Sequence, residues 1–333
     1  MRSPASTETL IGHEPAEAAL ARAAAGTRLH HAWLITGPAG IGKATLAYRF
    51  ARFLLSGLPP AAGPGPLHVP PSHGTFRRVA ADTHADLLTI ALRYDEQKKR
   101  MRSEILVEDV RDITGFLRLT PAEGGFRVVI IDGAEAMNKA AANALLKVLE
   151  EPPDRAILLL VSHNPGALLP TLRSRCIQLA LAPLPPPAMQ RVLTTHAPDL
   201  PADDLARLLP LAAGAPGRAL ALLDAGALPL ANLVASVLTA PPAAAARARL
   251  VETVLRQENG FDQFLDLLGQ SLATALGAAA RGHPHPIGAS LLARRRLDAW
   301  VEVWHAVGRL HAVTLRSHLD RRQALTDALA LFA

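Results

Sequence analysis

Residues 37–46 read GPAGIGKATL and come close to a phosphate-binding loop. Gly37, Gly42 and Lys43 meet the pattern G-x-x-x-x-G-K-[ST], but its last position holds Ala44. Glycines at 37, 40 and 42 allow backbone N–H groups to turn toward phosphate oxygens, and the helix that follows adds the positive end of its dipole. Lys43 is spaced to reach the β- and γ-phosphates. The hydroxyl missing at position 44 is the one that ligates Mg²⁺ in such loops. Thr45 comes one residue late, and one helical step turns a side chain by about 100°. Weak ATP or ADP binding is the most that Gly37, Gly40, Gly42 and Lys43 are expected to give. Ala44 and Thr45 leave the metal poorly held, and no cofactor is required.

A second acidic position is needed for hydrolysis. VVIIDGAE (128–135) puts Asp132 at a strand end, where a Mg²⁺ contact through water is normally made. Hydrolysing sites commonly carry Glu next, to polarise the attacking water; here the residue is Gly133. Glu135 lies two residues further on and is not expected to reach the same spot. With two independent positions lost, the chain's own ATPase site is predicted inactive. In TLRSRCIQL (171–179), Arg175 stands just before an apolar run. An arginine there is most often a solvated charge. The other reading is an arginine finger that reaches a neighbouring subunit's γ-phosphate.

Positioning these residues takes a sheet and its helices. HAWLIT (31–36), RVVII (127–131), AILLLV (156–161) and CIQLAL (176–181) are short apolar runs separated by helical spacing. They predict a parallel sheet covered on both faces. The stretch 107–117 and NKAAANALLKVLEEPP (138–153) predict helices, the second capped by Asn138 and ended by Pro152 and Pro153. Between the loop and the acidic strand, residues 56–76 hold six prolines and four glycines, so no regular element is expected there. After APLPPP (182–187) no strand is expected. Apolar residues recur at helical spacing in 189–195, 202–212, 217–225, 230–239, 243–256, 261–279 and 288–314. Composition breaks near 183 and again near 226.

A chain of 333 residues is too long for one ordinary domain. Its single cysteine, Cys176, excludes an internal disulfide framework and points to a reducing cytoplasm. No run of 18 apolar residues lacks a charge, Pro or Gly, so no membrane span is expected. Aromatics at 4% argue against base-stacking platforms for single strands. The formal charge of +6 permits contact with nucleic acid without establishing it. The basic clusters QKKRMR (97–102) and ARRR (293–296) read more readily as solvated helix faces than as DNA sites.

Taken together, the phosphate loop, the 138–153 helix, LLLVSHNPGALLPTLRSRC (158–176) and GAPGRALALL (214–223) resemble the AAA+ superfamily. Within it they resemble bacterial clamp-loader subunits of the delta-prime type of DNA polymerase III. The likeness covers about 10–225, and HLDRRQAL (318–325) is similar to that family's C-terminal signature. It implies an α/β plus all-α chain: a P-loop ATPase-like domain over 1–182, a helical lid over 183–226 and a helical oligomerisation collar over 227–333. It implies that Arg175 acts in trans on the ATP of an adjacent motor subunit. It implies that Ser162 falls near the sensor of the γ-phosphate, Arg218 at the lid's arginine sensor, and LIGHEPA (10–16) beside the adenine site. The implied role is a stator, partnered by gamma/tau motor subunits and a delta subunit, and by the sliding clamp and primed DNA through the complex. Members often carry a four-cysteine zinc module before the acidic strand. His68, His73 and His84 without thiolates make a weak zinc site, and none is predicted. A hydrolysing motor of the same fold would need Thr45 to hold metal and Glu135 to position water. A stand-alone P-loop kinase would explain neither the trailing helices nor Ser174–Cys176.

Overall fold

The structure is a computed structural model that describes residues 3–333 apart from 27, 60–63, 96–99, 124, 225, 258, 284 and 318. Its contacts divide the chain into two compact units, Met1–Leu184 and Pro185–Ala333.

The first unit is an α/β layer structure. Its elements in order are α1 (Glu14–Ala25), β1 (Ala32–Thr36), α2 (Lys43–Ser56), α3 (Gly74–Ala80), β2 (Leu87–Ile90), β3 (Tyr94–Asp95), β4 (Arg100–Met101), α4 (Val107–Arg118), β5 (Arg127–Asp132), α5 (Lys139–Glu150), β6 (Ala156–Ser162), α6 (Pro170–Arg173) and β7 (Ile177–Ala180). Five strands form one parallel sheet in the order β2-β5-β6-β1-β7, while β3 and β4 make a small antiparallel ribbon. The predicted runs at 31–36, 127–131, 156–161 and 176–181 supply β1, β5, β6 and β7. β1, β5 and β6 are buried on both faces, save the partly buried Asp132 at the end of β5, as a sheet covered on both sides requires, but the edge strand β7 departs from that expectation and is mostly exposed. Leu34, Val129, Ile131, Leu158 and Leu160 pack with Ile113 of α4 and Leu145 of α5. On the other face, Trp33 meets Phe50 of α2 edge to face, with ring centroids 6.3 Å apart. Asn138 caps α5 as expected, its side chain accepting from the Ala141 N–H at 2.9 Å.

Residues 56–76 depart from the expectation of no regular element. α2 runs on to Ser56, and α3 begins at Gly74 under a His73 cap. Leu67 and Val69 are buried, so the Pro/Gly stretch is anchored at its middle. The charged side chains beneath it explain why. Glu17 of α1 and Arg49 of α2 form an ion pair of 2.5 Å with both side chains 1% exposed. Arg52 stacks over Phe76 and donates to the Ala5 and Thr7 carbonyls.

The second unit is helical among its described residues: α7 (Pro186–His196), α8 (Ala202–Ala212), α9 (Pro216–Asp224), α10 (Leu228–Thr239), α11 (Ala244–Leu255), α12 (Gly260–Ala280), α13 (Pro286–Leu292), α14 (Leu297–Ser317) and α15 (Arg321–Ala330). The division near 226 falls inside this unit, where Leu211, Leu230, Val234, Phe264 and Leu268 share one core. The periodic stretch 288–314 is broken between α13 and α14 at the ARRR cluster. There Arg294 donates to the Leu238 carbonyl at the end of α10, and Arg295 to the Leu331 carbonyl after α15. Both guanidinium groups lie close to the Trp300 ring. These two arginines therefore close helix ends rather than line a solvated face, and Arg296 alone of the three is widely exposed. In the other basic cluster, residues 97–99 lie outside the described residues.

Candidate functional site

β1 delivers the chain into the glycine loop. Gly37, Gly40 and Gly42 all adopt positive φ, at 145°, 75° and 109°. At Gly37 the requirement is also spatial: a Cβ there would stand 2.6 Å from the Leu181 carbonyl oxygen. Gly42 precedes the first turn of α2 without a side-chain cap, which leaves the first helical N–H groups free for an anion. Lys43 is buried. Its ammonium donates to the Gly37 carbonyl at 2.9 Å and the Pro38 carbonyl at 2.7 Å, folded back on the loop. Burial pushes its pKa down, opposed by the nearby carboxylates of Glu135 and Asp132.

The carboxyl ends of three neighbouring strands meet beside this loop. Thr36 of β1 is in register with Ser162 of β6, and Asp132 of β5 with Val161. Asp132 sits where the strand pattern puts it, its carboxyl pushed up by burial and drawn back by Lys43. Ser162 is fully buried, with Oγ accepting from the Asn164 N–H at 3.2 Å. Glu135 comes nearer than expected. Gly133 at φ 80° and a short 3₁₀ turn over Ala134–Ala136 bring its carboxylate into electrostatic reach of Lys43. There Oε1 pairs with His163 Nδ1 and accepts from the His163 N–H.

The segment 10–16 closes on the loop. His13 bonds through Nε2 to the Ile41 carbonyl at 2.9 Å, and burial lowers its pKa, so the neutral ring donates. A Cβ on Gly42 would meet Leu10 at 3.1 Å. His13 lies in the segment that the resemblance places beside the adenine site, whereas His163 carries no signal in the sequence and only the fold brings it to the loop.

The donor set divides between phosphate and metal. Three positive-φ glycines and uncapped N–H groups suit a phosphate. Position 44 offers no metal ligand. The loop therefore fits a phosphate, and its position 44 does not supply the hydroxyl that holds Mg²⁺ in such loops. As for zinc, His73 Nδ1 caps α3, His84 Nδ1 accepts from the Asp86 N–H, and His68 lies near Glu17. Among the described residues no group of three or more His, Cys, Asp or Glu side chains is placed to hold a metal.

Arg175 is elsewhere. It precedes β7 by two residues, and β7 runs parallel to β1 with Ile177 opposite Trp33. At about 3.3 Å per residue, the start of β7 lies roughly 13 Å along the strands from Gly37, at the opposite end of the sheet. Its NH1 donates to the Thr171 carbonyl at 3.0 Å, and NH2 lies 2.8 Å from Glu150 Oε1. Cys176 beside it is half-buried, and burial pushes its thiol up to about 11. Arg218, in the second unit, donates to Thr274 Oγ1 at 2.8 Å and Ser271 Oγ at 3.0 Å on α12.

A family model described as DNA polymerase III, delta subunit matches residues 12–185. DNA polymerase III subunit delta' of Pseudomonas aeruginosa is 45% identical over 190 residues, 56% of this chain and 53% of that one. The delta' subunit of Escherichia coli is 37% identical over 198 residues, 59% of this chain and 55% of that one. The tau subunit of Escherichia coli is 33% identical over 183 residues, 54% of this chain and 26% of that one. The chain thus spans about half the length of the delta' relatives it matches. In fold, a DNA polymerase III gamma subunit-related protein of Thermotoga maritima superposes with a TM-score of 0.50 at 20% identity, covering 95% of this chain and 98% of that one.

Proposed function

The chain belongs to the DNA polymerase III delta-subunit family, and from that premise we propose that it is the stator of a clamp loader, hydrolysing little or no ATP itself. In this reading it completes the active site of an adjacent motor subunit of the gamma/tau type. It also contacts a delta-type subunit, and through the complex it serves the sliding clamp and primed DNA in the cytoplasm. Among the described residues no helix is long and apolar enough to cross a membrane.

The observation that carries the reading is the placement of Arg175. It sits at the end of the sheet away from the loop of its own chain, so its guanidinium has no part to play on a nucleotide bound there. A cation held half-exposed on that edge is available to a phosphate on another chain. The loop's chemistry agrees with a silent site, since Ala44 offers no metal ligand. Arg218, Ser162 and the 10–16 segment take nucleotide-sensing roles in this reading only as remnants.

The test is Arg175→Ala in the assembled loader. The variant chain folds and assembles, and the DNA-stimulated ATPase of the complex falls by about 10³-fold or more, the range that arginine fingers supply. Unchanged turnover by a complete complex removes the finger assignment.

A further inference from the structure

Arg175 is not a loose surface side chain. Two of its five N–H donors are engaged on its own unit, one by the Thr171 carbonyl and one by Glu150 Oε1. These contacts fix the guanidinium plane and leave three donors for an outside acceptor. Glu150 is itself well placed to hold a fixed position. It is the last residue of α5, next to Leu149, which is buried and whose carbonyl accepts from His31 Nε2 at 3.0 Å. That bond ties the end of α5 to the segment entering β1, at the same end of the sheet as Arg175. Burial keeps His31 neutral, so its ring N–H is the donor. Thr171 is equally fixed by α6, between the buried side chains of Leu168 and Leu172.

We infer that Glu150 is a positioning residue for Arg175, presetting its guanidinium for the terminal phosphate of a nucleoside triphosphate carried by an adjacent chain. The inference rests on the arginine-finger reading above. An unrestrained arginine gives up its rotamer freedom when it engages a phosphate, and one already held gives up less. Because Glu150 is half-exposed, the benefit is modest, of the size of an exposed ion pair. It belongs to the bound, reacting complex rather than to folding. The carboxylate also has a cost, since it stands near an incoming anion. The geometry assigns it the orienting role because it takes only one edge of the fork and leaves the rest free.

The experiment uses the assembled loader and its DNA-stimulated ATP turnover, with Glu150→Ala, Glu150→Gln, Arg175→Ala and the double variant. Glu150→Ala is expected to lower kcat about two- to five-fold with KM unchanged. Glu150→Gln keeps an acceptor oxygen and recovers part of the loss. In the Arg175→Ala background, Glu150→Ala has no further effect. Positioning is overturned if Arg175→Ala is costly while Glu150→Ala leaves kcat unchanged or raises it. It is also overturned if Glu150→Ala costs as much with Arg175 absent as with it present. Arg175→Ala without effect overturns the finger reading itself, a separate outcome.

Discussion

Lys43→Met separates a structural lysine from a nucleotide-binding one. The substitution keeps most of the side chain's length and removes the ammonium from the Gly37 and Pro38 carbonyls. Hydrogen bonds to a charged group are worth about 1.5–3 kcal/mol each, or roughly 3–6 for the pair. Against this, removing a buried cation recovers a desolvation penalty of several kcal/mol. Pro38, Ala39 and Gly40 are exposed, so water replaces part of what the carbonyls lose. Asp132 loses the cation that draws its raised pKa back toward the ordinary range. The balance is a net loss of about 1–2 kcal/mol, a urea midpoint lower by roughly 0.5–1 M. The assay is urea denaturation of the free chain, paired with DNA-stimulated ATP turnover of the assembled loader. Reduced stability with turnover within about two-fold of the parent is expected. A loss of ten-fold or more in turnover, at unchanged stability, would show that Lys43 holds a working nucleotide and would refute the assignment.

Gly37→Ala should lower the melting temperature more than Gly133→Ala. Both positions have positive φ, but only at 37 does the added Cβ meet a backbone oxygen, at 2.6 Å, whereas at 133 it meets nothing within 4 Å. Paired thermal melts of the two variants check the order; equal shifts would count against the close approach of Leu181. Stability should also fall as pH drops below 6.5. His13, His31, His84 and His285 all have pKa values lowered chiefly by burial, so the unfolded chain takes up protons first. Their contribution is complete above 6.5, the unfolded value, and is lost as pH falls toward the depressed folded values. A pH series of urea midpoints that stays flat from 7 down to 5.5 would contradict this, and His13→Gln should shallow the slope.

The chemistry of the loop was legible because glycines and a lysine at fixed spacing have few other uses, and four of the five sheet strands announced themselves as apolar runs. β2 did not: Leu87–Ile90 is four residues long, and three of them are only partly buried. The Pro/Gly stretch misled because composition describes backbone freedom and not the anchors that Leu67, Val69 and Phe76 supply. Spacing carried no signal for Glu135, since a turn and not a helix returns it toward Lys43. Glu150 was equally silent as a partner of Arg175, because the two are far apart in sequence and meet only through the packing of α5 beside α6. The ARRR cluster shows the opposite failure. Its charges looked solvated, yet Arg294 and Arg295 close the ends of helices that are distant in sequence.

The most direct test of a silent stator is steady-state ATP turnover by the purified chain, alone and after assembly with its motor and delta-type partners. No turnover is expected from the chain alone, with a rise on assembly that disappears with Arg175→Ala. Robust turnover by the isolated chain, abolished by Lys43→Met, would contradict it and make the protein a motor in its own right.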